Sequence, residues 1–288
     1  MSTHDYGFIG LGNMGAPMAA NIARNGFALS VYDKAGTAAR APAGTLAVES
    51  LAQIGHCESV FLSVPDGRVS LQLAADLIAL PDRRLQTVID LSTTGPAAAK
   101  QAHQLLADAG INYIDCPVSG GVAGAQAGTI TVIWAGPAAL LAQHRPVLQA
   151  FSGNIFHVGE QPGQGQAMKL LNNFLSATAL AATSEAFDYG LSQGLDLKSM
   201  IDVVNVSTGR NTASADKFPK RILTESYDAG FYSALMRKDV DLYLDSAQQA
   251  QTPAAVGETI AALWQQMDSA MPGSDITEIF KLLNRRTS

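Results

Sequence analysis

Seven short apolar runs, YGFIG, ALSVY, SVFLSV, TVIDLS, NYIDC, TITVIWA and NIFHV, punctuate roughly the first 160 residues, and amphipathic stretches broken by Gly, Pro or Ser separate them. No other feature constrains the fold as strongly, because strand signals alternating with helical ones specify βαβ units and a mainly parallel sheet. After His157 the strand signals stop. Residues 164–193 read as one helix of about 30 residues, about 45 Å long at 1.5 Å per residue. Helical periods follow near 198–206, 233–251, 253–270 and 275–284, with the turn-rich breaks STGRN and YDAGF among them. The expected architecture is an α/β domain over residues 1–162 and an all-α domain over 163–288, joined by the long helix. The Gly/Gln-rich EQPGQGQ, 160–166, is the expected hinge.

A chain of 288 residues has the length for two such cores. Its composition, 47% hydrophobic and 15% charged, is that of a soluble globular protein. A net charge of −6 argues against a surface built for nucleic acid or anionic lipid, so an anionic ligand must be held by local geometry. The five histidines and the cysteines Cys57 and Cys116 show no ligand spacing, and no metal is expected. The N-terminus lacks a basic and apolar leader, and no apolar run reaches membrane-spanning length. A cytoplasmic protein is expected.

GLGNMG, Gly10 to Gly15, follows the first apolar run and precedes the helical pattern APMAANIARNG. In that context G-x-G-x-x-G describes a dinucleotide-binding turn: Gly10 permits the bend, Gly12 lets backbone approach a pyrophosphate, and Gly15 lets helix and strand pack closely. Backbone N–H groups and the helix dipole bind the anion without a basic side chain. Asp33 closes the next apolar run, 23 residues after Gly10. There it can accept from a ribose 2′-hydroxyl and repel a 2′-phosphate, which favours NAD over NADP. Lys34 and Arg40 work against that preference, so NADP stays open.

The segment AMKLLNNFLSATALAATS, from Ala167, carries Lys169 as its one charge. A helix with no charged face is expected to be buried on most sides, and a buried lysine needs a partner or a ligand. Lys169 and Asn173 are spaced i, i+4 and share a helix face. A lysine desolvated in a cleft releases its proton more readily, which suits it to exchange one with an alcohol or carbonyl oxygen. The alternatives are a distant carboxylate partner or a side chain that reaches the surface.

Five signatures in order, FIGLGNMGAPMAANI, DLSTTGP, DCPVSGG, GQGQAMKLLNN and RKD, make the chain resemble the β-hydroxyacid dehydrogenase family. The resemblance implies a Rossmann domain, a helical substrate and dimerisation domain, and a cleft where a small carboxylate substrate meets the nicotinamide. It implies that Lys169 is the general acid/base, that Asn173 holds the substrate, and that Ser119, Gly120 and Gly121 bind the carboxylate. It also implies cofactor contacts from Gly10, Leu11, Gly12, Asn13, Met14, Gly15, Asp33, Lys34, Val64, Pro65, Thr93 and Lys238. Residue by residue, alternatives remain. VSGG could be a plain strand-ending turn, Thr93 an N-cap before Pro96, and Lys238 part of a solvated cluster with Asp239 and Asp241.

The expected function is hydride transfer between NAD(H) and a small 3-hydroxy acid or its semialdehyde, of the 3-hydroxyisobutyrate or 2-hydroxy-3-oxopropionate type. An imine reductase on the same scaffold is one alternative, although the lysine favours alcohol chemistry. A non-catalytic dinucleotide-binding module is the other. Arg210, in VSTGRN, either pairs with a second anionic group of the substrate or lies on the surface. A helix apolar nearly all round further predicts a homodimer or tetramer.

Overall fold

The computed structural model describes residues 6–284. The chain divides into two compact units, one ending at Lys169 and the other beginning at Leu170.

In the first unit, β1 (Tyr6–Ile9), β2 (Leu29–Tyr32), β3 (Leu46–Ala47), β4 (Ser59–Leu62), β5 (Thr87–Asp90) and β6 (Asn112–Asp115) run parallel in the order β3-β2-β1-β4-β5-β6. Both faces of this sheet are covered, which is why its strands read as continuous apolar runs. Alternate residues serve opposite cores. Phe8, Phe61, Ile89 and Ile114 pack with Met18 and Ile22 of α1 (Gly15–Arg24). Their chain neighbours Ile9, Leu62, Val88 and Tyr113 pack with Ile54 of α2 (Leu51–Ile54), Leu77 of α3 (Gly67–Ile78) and Leu106 of α4 (Pro96–Asp108). The order reverses between β1 and β4, the switch point at which open α/β sheets bind ligands.

Beyond β6 the sheet departs from the parallel pattern. β7 (Val118–Ser119) and β8 (Ile130–Ala135) flank α5 (Gly121–Ala127), and β8 pairs antiparallel with β6 and β7 in one continuous register. The edge strand β9 (Ser152–Gly159) then pairs parallel with β8 after α6 (Ala138–Gln149). VSGG is therefore not a simple turn: Val118 and Ser119 are strand, and Gly120 and Gly121 turn the chain at φ of +140° and +65°. A Cβ on Gly120 would lie 3.2 Å from the backbone of Ile130, a tight contact added to a backbone conformation that favours glycine.

The long helix α7 covers Gln164–Ser192, 29 residues, as the sequence predicts. Its residues through Lys169 fall in the first compact unit and the rest in the second. EQPGQGQ is fastened to the first unit, where the Gly163 and Gln166 backbone N–H groups both donate to Asp115 at 3.0 Å.

The second unit is all-helical: the rest of α7, α8 (Leu197–Asn205), α9 (Ser233–Gln249), α10 (Ala255–Ala270) and α11 (Ile279–Leu283). One element was not expected. Ala213–Ile222 forms a π-helix with Pro219 inside it. Proline has no N–H to give to the α-helical ladder, and the wider turn carries the segment through. Phe218 is thereby buried between the rings of Phe187 and Phe280, with centroids 4.8 and 5.4 Å away. On α7, Leu171, Leu175 and Tyr189 remain exposed within this chain and fall on one stripe of the helix.

Candidate active site

The turn after β1 has the geometry its glycines require. Gly10 adopts φ +96°, and a Cβ on Gly15 would run into the Gly10 carbonyl oxygen. At Gly12 the reverse holds, since an added Cβ meets nothing within 4 Å. The protein does not need glycine there for its own packing, which leaves open space on that side of the turn. No side chain caps the start of α1 at Met14, and its first turn carries no acidic residue. Asn13 and Met14 complete a start of α1 suited to an anion.

Asp33 follows β2. One carboxylate oxygen accepts from the Leu11 N–H at 2.7 Å and the other from the Ala35 N–H at 2.8 Å, which ties the glycine turn to the end of β2. A cleft of about 500 Å³ opens beside it, lined among others by Tyr32, Asp33, Lys34, Thr37, Val48 and Glu49. The lining suits the adenosine end of a dinucleotide, with an apolar wall for the base and carboxylates for ribose hydroxyls, and the glycine turn tied to Asp33 offers backbone N–H groups to phosphates.

Four further segments meet at the carboxyl ends of the strands. The Val64 N–H, next to Pro65, donates to Ser92 Oγ at 2.9 Å. Asp90 anchors Ser92 from below by accepting its N–H at 3.0 Å, and it also accepts from the hydroxyls of Ser70 and Tyr113. Around Thr93, the Thr94 and Gly95 N–H groups donate to Gln166 Oε1 at 2.8 and 3.1 Å. Gln166 Nε2 donates to the Ser92 carbonyl at 3.0 Å and to Asp115 at 2.8 Å. The predicted cofactor residues Val64, Pro65 and Thr93 thus stand on one hydrogen-bonded frame with the first turn of α7.

Asp90 and Asp115 are fully buried and directly paired in register across β5 and β6. Burial pushes both carboxyls up. Asp115 reaches about 6 despite the lowering effect of its bonds from Gln166 and Gly163, and the charge of Asp90 adds to the rise. The ionised form of such a group weighs against the fold above about pH 6, and that cost fades as pH falls toward the ordinary carboxyl value of 3.8. Burial and the two carboxylates together hold the Tyr113 phenol far above its usual value.

Lys169 sits one turn after this frame and is buried, with 8% of its surface exposed. Asn173, one turn further along α7, is equally buried at 7%. In the second unit its Nδ2 donates to Asp239 Oδ2 at 2.6 Å, and its Oδ1 accepts from Asn172. Asp239 is buried and pairs with Lys238 at 3.1 Å, so RKDVD is not a solvated cluster throughout. Arg237 and Asp241 are its half-buried part. Arg210 lies exposed in the connection after α8. Asp90, Asp115, Gln166 and Asp239 were not singled out from sequence as site residues. The first two could have been, as carboxylates that close apolar strands with no basic neighbour. Among the described residues no cluster of His, Cys, Asp or Glu has metal-binding geometry, and no helix is long and apolar enough to cross a membrane.

Comparison with known proteins gives the same outline. Residues 5–159 match the family described as the NAD binding domain of 6-phosphogluconate dehydrogenase. Residues 163–283 match that described as NAD-binding of NADP-dependent 3-hydroxyisobutyrate dehydrogenase. A 3-hydroxyisobutyrate dehydrogenase of Pseudomonas aeruginosa is 37% identical, the alignment covering 96% of this chain and 98% of that protein. The solved structure of a Mycobacterium tuberculosis 3-hydroxyisobutyrate dehydrogenase with L-serine superposes with a TM-score of 0.88 at 30% identity, covering 97% of this chain and 99% of that one. A Streptomyces aurantiacus imine reductase, at 20% identity, TM-score 0.64 and coverage of 97% and 99%, shares the fold alone.

Two glycine substitutions separate ligand room from packing room. Gly12→Ala should leave thermal stability within about 0.5 kcal/mol of the wild type while weakening NADH binding about tenfold or more. Gly15→Ala should lower stability by about 1–3 kcal/mol as well. Melting curves and NADH fluorescence titration read both, and unchanged NADH affinity in Gly12→Ala would remove the pyrophosphate from this turn.

Proposed function

Because this chain belongs to the β-hydroxyacid dehydrogenase family and is thereby an NAD(P)-dependent oxidoreductase, we propose that it interconverts a small 3-hydroxy acid and its semialdehyde with Lys169 as general acid/base. The observation that carries this reading is the buried position of Lys169 on an otherwise uncharged helical stretch, one turn from Asn173 and one turn past the frame that supports Thr93. When bound, the dinucleotide supplies or accepts the hydride at the substrate carbon. The residues of this chain handle the proton and the orientation. In oxidation the neutral amine of Lys169 takes the hydroxyl proton, and in reduction the ammonium returns it to the carbonyl oxygen. Asn173, steadied by Asp239, is assigned to hold the substrate, and Ser119, Gly120 and Gly121 its carboxylate.

3-Hydroxyisobutyrate and L-serine, which appear in the names of the two similar dehydrogenases, share a primary alcohol one carbon from a carboxyl-bearing centre. They differ in the substituent on that centre. We therefore assign this chain to acids of the form HOCH2–CHX–COO⁻. Residues 1–162 are assigned to dinucleotide binding and 163–288 to substrate binding and self-association. Lys238 is assigned to the cofactor on family resemblance. The buried thiols of Cys57 and Cys116 are compatible with a reducing cytoplasm.

A panel of 3-hydroxy acids followed by nicotinamide absorbance should show turnover, and Lys169→Met should lower kcat by about 10²- to 10⁴-fold with NADH binding retained. An early-melting Lys169→Met variant with near-normal kcat would refute the assignment. Asp33 and Glu49 beside the cleft favour the 2′-hydroxyl over a 2′-phosphate, so NADH should bind more tightly than NADPH. A tenfold or greater preference for NADPH in titration would contradict this. Finally, the stripe of Leu171, Leu175 and Tyr189 is assigned to contact with a second copy. Light scattering at micromolar concentration should give a dimer or tetramer, and a monomer mass would rule it out.

A further inference from the structure

The side chain of Gln166 makes four hydrogen bonds in a wholly buried setting, and each of them spans separate segments of the first unit. Its carbonyl oxygen takes two backbone N–H groups, from Thr94 and Gly95. Its NH2 group gives to the Ser92 carbonyl and to Asp115. Only a primary amide offers two acceptor and two donor sites on one flat head. We propose that Gln166 is a positioning residue for the dehydrogenase reaction: it locks the Ser92–Gly95 loop to the first turn of α7, and so sets Lys169 relative to Thr93.

Asp115 decides which way the amide faces. Its Oδ2 accepts the Gly163 and Gln166 N–H groups and its Oδ1 accepts Gln166 Nε2, so both carboxylate oxygens face donors. With the amide turned over, its carbonyl would face the Asp115 carboxylate and its NH2 would face the N–H groups of Thr94 and Gly95. One orientation satisfies every group, and the reverse leaves several buried groups unpaired. Gly165 lets the helix come this close, since a Cβ there would lie 2.8 Å from the Asp115 carbonyl oxygen. Three residues after Gln166 comes Lys169, with the first turn of α7 pinned at both Gly163 and Gln166. A displacement of about 1 Å at a reacting group is enough to slow chemistry by orders of magnitude.

The proposal rests on the reading of Lys169 as the acid/base group, and the test separates the two. Gln166→Leu has the size but none of the four bonds. It should lower kcat at least tenfold at saturating NADH, where weaker cofactor binding through Thr93 no longer contributes. Gln166→Glu keeps the acceptor for Thr94 and Gly95 but needs a proton to face Asp115. The charged and titratable groups around that position are Asp115, Asp90, Tyr113 and Cys116 of the sheet, Lys100 of α4, and Lys169 itself. Two carboxyls side by side share a proton more readily in acid. The ratio of Gln166→Glu to wild-type kcat should therefore rise at least tenfold from pH 8 to pH 5.5.

A flat ratio for Gln166→Glu, or a Gln166→Leu kcat within twofold of wild type whatever its melting temperature, would overturn the proposal. If Gln166→Leu does not fold, the pH ratio of Gln166→Glu decides alone. Lys169→Met assayed alongside distinguishes the failures. Normal kcat in Lys169→Met sinks the acid/base reading, whereas its loss with unaffected Gln166 variants sinks only the positioning role.

Discussion

The seat of α7 on the sheet depends on one carboxylate. Asp115 ends β6 with its side chain wholly buried and with three N–H groups on its two oxygens. Taking a carboxylate out of water costs several kcal/mol, and charge-assisted hydrogen bonds offset part of that here. Two of those donors belong to the backbone of the segment that starts α7. Removing the carboxylate would therefore leave the helix start unsatisfied as well as the Gln166 amide. The first turn of α7 is held by this contact, and Lys169 comes one turn later in the same unit.

The same edge explains how an acidic chain can hold a polyanion. Asp33, Asp90 and Asp115 all lie at strand ends, and each accepts backbone N–H groups. None of them faces a basic side chain among these bonds. The carboxylates shape the loops, and the loops leave other N–H groups for the ligand. At Gly12 the lack of any protein neighbour leaves that space open, whereas Gly10 and Gly15 are held by contacts of the protein itself. Three glycines in one motif thus answer to two different requirements.

In the second unit the polar pair Asn173 and Asp239 plays a comparable part. The Asn173 amide is held from α9, just where Phe174 stacks on Tyr243 with ring centroids 4.1 Å apart. Packing and hydrogen bonding act on successive residues of α7. A residue assigned to the substrate is thereby kept in one rotamer before any substrate arrives, which lowers the entropy cost of binding.

Much of this protein was legible in its residues alone. Strand and helix periods, the context of GLGNMG and the lone charge of Lys169 act over a few residues each, so they determined the α/β and all-α halves, the glycine turn after β1 and the buried lysine. The π-helix at Ala213–Ile222, the strand character of Val118–Ser119 and the division of α7 between the two compact units were decided only by tertiary contacts. So were the partners of Gln166, which lie 51 to 74 residues away along the chain. No local period encodes a bond of that span. Gln166 reads in sequence as one more residue of a glycine-rich connection, and it becomes a four-way junction only when the ends of β5 and β6 are brought beside the start of α7.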